Sequence, residues 1–139
     1  MISMSDFNMR EILFRGKRAD NGEWVQGFYF VEAGHFIKEL PSCVSTSTYL
    51  VLPETICQYT GLRDGNGNKV FEGDILQYYE RIFNGADICK YAPVEFIEGG
   101  FTVDKYYLCN WLCNGMYGNI KLKDITIVGN IYDNPEVLK

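Results

Sequence analysis

Gln58-Tyr59-Thr60-Gly61-Leu62-Arg63-Asp64-Gly65-Asn66-Gly67-Asn68-Lys69-Val70-Phe71-Glu72-Gly73-Asp74-Ile75-Leu76 begins and ends in strand-forming residues and holds the densest turn chemistry in the chain. Asn66-Gly67 supplies the two positive-φ positions of a tight hairpin loop at little steric cost. Glu72-Gly73-Asp74 makes a second bend before Ile75-Leu76 launches a new strand. A tight turn, a short strand and a second bend are how a small β-roll or barrel turns a corner. The stretch specifies a fold and presents no chemistry of its own.

Asn-Gly recurs at Asn21, Asn84 and Asn114, and repeated hairpin signals in one small chain point to antiparallel β structure. Upstream, Ile12, Leu13 and Phe14 read as a first strand, Asp20-Asn21-Gly22 turns it, and residues 24–31 return. That return strand is apolar on both faces, so it is expected to lie centrally, covered from two sides. His35-Phe36-Ile37 and residues 48–52 follow, separated by a Ser/Thr-rich loop over residues 42–48 whose hydroxyls compete for backbone partners. Later strands are expected around Ile75–Tyr79, Ile88, Val94–Ile97 and Ile125–Val128. After Val103 the pattern changes: Asp104 reads as a helix N-cap, and Tyr107, Leu108, Trp111 and Leu112 recur at spacings of three and four. This predicts one short helix ending at Asn114-Gly115.

A chain of 139 residues with 47% hydrophobic side chains buries a core. It contains no apolar run long enough to span a membrane as a helix. The opening residues lack the basic and apolar regions of a secretory signal, so the expected location is cytoplasmic. Five cysteines at irregular spacing (Cys43, Cys57, Cys89, Cys109, Cys113) then read as free thiols acting as small buried apolar groups. A net charge of −5 disfavours a general phosphate-backbone binder.

Three motifs in order carry a resemblance: Met9-Arg10-Glu11-Ile12-Leu13-Phe14-Arg15-Gly16, the opening stretch, and Val128-Gly129-Asn130-Ile131-Tyr132-Asp133-Asn134-Pro135-Glu136. Together they resemble the YopX family of small phage- and prophage-encoded proteins. The resemblance implies a mainly β fold, an antiparallel β segment followed by a C-terminal SH3-like β-roll or barrel, and it implies no activity. Residues 1–8 read as a loose extension, because family members tend to open at the equivalent of Met9. Residues 9–139 read as one domain, with an N-terminal β part over 9–52 and the SH3-like roll over 53–139. Residues 83–120 carry no family motif.

The candidate chemistry is thin. Asp64-Gly65-Asn66-Gly67-Asn68 matches the first positions of a calcium loop, but Lys69 replaces the required glycine and Ile75 replaces the closing Glu, so the hairpin reading prevails. Cys109 and Cys113 have metal-compatible spacing, yet four ligands are needed and His35 is the sole histidine, so no metal or other cofactor is expected. His35 sits in an apolar strand with no nucleophile signature, and Glu72 and Asp74 would share a face only if their segment is extended. No catalytic residue is assigned.

The aromatics are the best functional hint. Adjacent pairs such as Tyr78-Tyr79 and Tyr106-Tyr107 point to opposite faces of a strand, and exposed Tyr and Trp are what interfaces use. Tyr106, Tyr107 and Trp111 are therefore the candidate partner-binding residues. The expected function is non-catalytic binding to a protein partner or to itself. The alternatives are a nucleic-acid-binding β-roll, if Arg15, Lys17, Arg18, Arg63 and Lys69 converge on one face, and a small hydrolase, if His35 meets a carboxylate or cysteine in a cleft. The free-thiol reading predicts that reduced protein holds no stoichiometric zinc and melts unchanged in a chelator; elemental analysis and a thermal melt check it.

Overall fold

A computed structural model describes residues 10–39, 47–81, 85–104, 106–108, 116–117, 120–121 and 125–139, with the side chains of 81, 116, 117, 120 and 121 excepted. The chain is mainly β, as the hairpin signals imply, in two antiparallel sheets. The first is built from β1 (Phe14–Lys17), β2 (Trp24–Val31), β3 (His35–Glu39), β4 (Thr48–Leu50), β5 (Cys57–Arg63) and β6 (Lys69–Phe71) in the order β4-β3-β2-β1-β5-β6. It therefore continues beyond Leu52, and the bend between the sheets is Glu72-Gly73. The second comprises β7 (Asp74–Arg81), β8 (Asp87–Ile97), β9 (Gly100–Val103), β10 (Tyr106–Tyr107), β11 (Met116–Tyr117), β12 (Ile120–Lys121) and β13 (Thr126–Asn130). Its order is β10-β9-β8-β7-β12-β11, with β13 also paired to β7.

The first sheet coils. An isolated bridge between Arg18 and Val51 draws the end of β4 back toward β1, over a core of Val25, Ile37 and Val51 with Phe14, Tyr29, Tyr49 and Ile56 packed around it. Gly27 makes the coil possible, because a Cβ there would lie 2.0 Å from the Lys38 carbonyl oxygen. The two sheets remain open, without clear closure into a barrel. A second cluster, Leu13, Cys57, Tyr59 and Phe71, lies on the opposite face of β1 and β5 beneath Tyr132. The largest cluster joins the sheets: Val70 and Leu62 pack with Leu76, Tyr78, Val94, Val103, Leu108 and Ile125. Full burial of each aliphatic side chain contributes roughly 1.5–3 kcal/mol.

The Asp64–Asn68 loop is a hairpin connection with a different internal geometry from the expected one. Gly67 has φ +85°, but Asn66 is absent from the left-handed region, so one positive-φ residue serves where two were expected. Asp64 supplies the remaining constraint. Its Oδ1 accepts from the backbone N–H groups of Asn66 (3.0 Å) and Asn68 (2.9 Å), and its Oδ2 accepts from Ile127 N–H (3.0 Å), so one carboxylate closes the turn and fastens it to β13. The Gly73 bend also has φ +85°; its N–H donates to the Val94 carbonyl and its own carbonyl accepts from Ile131 N–H, each at 2.9 Å.

Two expectations are corrected. β2 does lie inside its sheet, but its outer face is uncovered: Phe28 is 50% exposed and Phe30 37%. Contacts from the C-terminal turn reach this face at Trp24, at the start of the strand, through the Tyr132 ring and Asp133. The start of the expected helix is instead a strand, Tyr106 and Tyr107 pairing with Val103 and Thr102. Asp104, with φ +47°, turns the chain in the left-handed region that Asp tolerates, and tyrosine suits the strand that follows. Residues 109–115, the rest of that segment, lie outside the described residues, as do residues 1–8, most of the Ser/Thr-rich loop, Cys43, Cys109 and Cys113. Cys57 is buried as expected, but Cys89 is exposed on β8, accepting from Gln77 Nε2 at 3.4 Å.

A Cβ at Gly67 meets nothing within 4 Å, so Gly67→Val carries only conformational strain and should cost about 1 kcal/mol. Gly27→Ala meets backbone and should cost about 2–3 kcal/mol by forcing β2 and β3 apart. Denaturant melts that rank the two the other way would overturn these roles.

Candidate functional site

The outer face of the first sheet carries the most concentrated site chemistry. Strand alternation puts Arg15 and Lys17 of β1, Cys57 and Tyr59 of β5 and Phe71 of β6 on the same side as Trp24, Gln26, Phe28 and Phe30 of β2. Arg15 is the anchor. Its guanidinium lies 4.7 Å from the Trp24 ring centroid and 4.9 Å from that of Phe71, and it pairs with the buried Asp74 carboxylate at 2.8 Å. Asp74 Oδ2 also accepts from Phe71 N–H at 2.7 Å across the Gly73 bend. Burial pushes the Asp74 carboxyl above its ordinary value, and Arg15 pulls against that rise. Arg15 Nε is buried without a hydrogen-bond partner, its surroundings being ring faces that favour a cation.

Beside Arg15 opens a cleft of about 450 Å³, lined by Gln26, Arg63, Asn68, Lys69, Phe71 and Asp74 among others. Arg63 Nη1 donates to the Gly67 carbonyl at 2.8 Å, and Lys69 pairs with Glu11 at 2.9 Å. From Gln26 the same face of β2 runs on to Phe28, opposite Lys38, and to Phe30, opposite Phe36 and then Leu50 of β4. Phe30 and Phe36 stack with centroids 5.4 Å apart, and Leu50 is 51% exposed. This ridge was missed in the sequence because a strand apolar on both faces reads as buried. Polar Gln26, Lys38 and Thr48 interleaved on one side were the available signal.

Of the residues marked by sequence, Tyr106 is 44% exposed and Tyr107 47%, and they point to opposite sides of β10. The Tyr107 ring lies over Gly100, where a Cβ would come within 2.6 Å of it. Trp111 lies outside the described residues. Of the five cations proposed to converge, Arg15, Arg63 and Lys69 line one cleft, whereas Lys17 pairs with Asp133 and Arg18 with Asp20. His35 shares a 2.7 Å hydrogen bond, through Nδ1, with the Tyr29 hydroxyl and stacks on that ring. Glu72 and Asp74 part company at the Gly73 bend, the Glu72 carboxylate facing Gln58 N–H at 3.4 Å. A separate cleft of about 400 Å³ includes Tyr78, Lys90 and Asp104. There burial and then the 2.7 Å bond to Asp104 push the Tyr78 hydroxyl up.

Asp133 accepts from Lys17 Nζ, from Trp24 Nε1 (2.7 Å) and from Asn130 Nδ2 (3.2 Å), and these bonds, Lys17 first, lower its carboxyl to about 2. A depressed native pKa gives stability that is present above the unfolded carboxyl value near 4 and lost as pH falls toward 2. Trp24 fluorescence, followed in a Trp111→Phe background, should therefore titrate with a midpoint near 2, and Asp133→Asn should abolish that transition. A midpoint near 4 would contradict the Asp133 contacts. Asp74, whose pKa is raised, works with the opposite sign.

Among solved structures, the chain is similar to protein EF1440 from Enterococcus faecalis, with 22% identity over 94% of this chain and 100% of that one and a TM-score of 0.59. At that identity the likeness is one of fold. No curated protein matches the chain. The family described as YopX protein matches residues 13–139, which include the coiled first sheet, the Gly73 bend and the C-terminal turn. The chain belongs to the YopX family.

Proposed function

We propose that the chain is a non-catalytic protein-binding module, with the outer face of β2, β3 and β4 as its principal binding surface. The carrying observation is the contiguous apolar ridge of Phe28, Phe30, Phe36 and Leu50 across three strands whose other face is already packed. Large exposed apolar side chains in contact with one another mark interaction sites, and aromatic anchors dominate binding energy. Tyr106, on one side of β10, offers an additional contact point, and self-association is the same reading with a second copy as partner. We place the protein in the cytoplasm and in a phage or prophage context. In support of a soluble role, no helix among the described residues is long and apolar enough to cross a membrane.

A nucleic-acid reading has one observation in its favour, the meeting of Arg15, Arg63 and Lys69 at one cleft. Arg15 and Lys69 are already neutralised by carboxylates there, and the net charge opposes it.

The test compares wild type with Phe28→Ser/Phe30→Ser and with Tyr106→Ala. Exposed positions should leave the melt within about 0.5 kcal/mol of wild type. The double variant should lose self-association in sedimentation, or lose whatever protein wild type retains. Tyr106→Ala should weaken retention in part. Unchanged association in the double variant would remove this face from the function. A melt lower by several degrees would make the phenylalanines core residues.

A further inference from the structure

Among the described residues, five cations are matched by carboxylates. Arg15 pairs with Asp74, Lys17 with Asp133, Arg18 with Asp20, Lys69 with Glu11 and Lys90 with Glu80. Among the described residues, Lys38 and Arg63 are strand cations with no carboxylate partner, and both are exposed. They are far apart in sequence yet border one surface. Lys38 stands directly opposite Phe28 in the β2–β3 register. Arg63 lines the cleft with Gln26, two residues before Phe28 on the same side of β2. The apolar ridge is thus flanked by two uncompensated positive charges on a chain whose net charge is −5.

We propose that the partner of this face is an acidic protein segment bearing a large apolar side chain. The segment lies across β2, its apolar group on Phe28 and Phe30 and its carboxylates at Lys38 and Arg63. This rests on the reading of the β2 face as the binding surface and adds the chemistry of what binds there. Arg63 is already oriented by its bond to the Gly67 carbonyl, so little freedom is lost when a carboxylate arrives. Lys69 can exchange Glu11 for a partner's carboxylate at small cost, because exposed pairs are worth little. Arg15 is committed to Asp74 and takes no part. Two unmatched cations at this face are too few for a polyanion, and a nucleic-acid backbone would also face the repulsion of the whole chain. Phe30 and Phe36 stack on each other, which occupies ring faces that bases would need.

The experiment pans a displayed library of random peptides against wild-type protein and measures the selected peptides by fluorescence anisotropy at low and high salt. The expected peptides are rich in Asp and Glu around an aromatic residue or leucine. They should bind about tenfold more weakly to Lys38→Glu/Arg63→Glu, and lose affinity as salt is raised. Lys38→Arg/Arg63→Lys should bind as wild type, and circular dichroism melts establish that each variant folds. Peptides that lose binding to Phe28→Ser/Phe30→Ser but are indifferent to charge reversal and salt would overturn the acidic partner while leaving the binding face intact. Peptides indifferent to both double variants would overturn the face and the partner together. A mixed-sequence single-stranded oligonucleotide bound more tightly than any peptide, a dimer formed through this face in sedimentation, or a library without binders would each overturn the proposal.

Discussion

The ion pair between Arg15 and Asp74 joins the second residue of β1 to the first residue of β7, and so fixes how one sheet meets the other. A buried pair of this kind is weak evidence of added stability, because both charges lose water. The rise in the Asp74 pKa expresses that cost. Its value is in direction. Arg15 is confined between the Trp24 and Phe71 rings, Asp74 holds Phe71 N–H with its other oxygen, and Gly73 permits the bend that brings them together. If any of the five moves, the Leu13–Cys57–Tyr59–Phe71 cluster and the adjoining cleft lose their shape.

Local chemistry was legible in the sequence and distant pairing was not. The turns at Gly22, Gly67, Gly73 and Gly99 follow from residues whose backbone preferences act within a few positions. Asp64 was read as part of a loop rich in turn formers, yet its bond to Ile127 N–H depends on a strand at the far end of the chain. The Arg15–Asp74 contact is of the same kind. The start of the helix expected after Asp104 is a strand because a spacing of three and four among apolar residues says nothing of a neighbouring strand ready to pair, and β9 supplies one.

The candidate site was half legible. Adjacent tyrosines at 106 and 107 must point opposite ways in a strand, and half of each ring is indeed exposed. The Phe28–Phe30 ridge escaped because hydrophobicity on two faces is the ordinary signature of a covered strand. What distinguishes it is the geometry of cover: C-terminal contacts stop the outer face being free at Trp24, while Phe28 and Phe30 remain open. A covered-strand pattern on an uncovered strand fits a face completed by another molecule.

The double partnership of β7 has a consequence for the order of folding. β1 to β4 form a meander of neighbouring hairpins, and the Arg18–Val51 bridge closes it using only nearby chain, so little loop entropy opposes its early formation. β7 likewise finds β8 through a local hairpin. Its other side must wait for β12 and β13, which arrive from the opposite end of the second sheet's sequence. Until then β7 presents open backbone donors and acceptors, and the Gly73 carbonyl lacks Ile131 N–H. The most aggregation-prone species on the folding route is therefore one with both hairpins formed and this edge still bare.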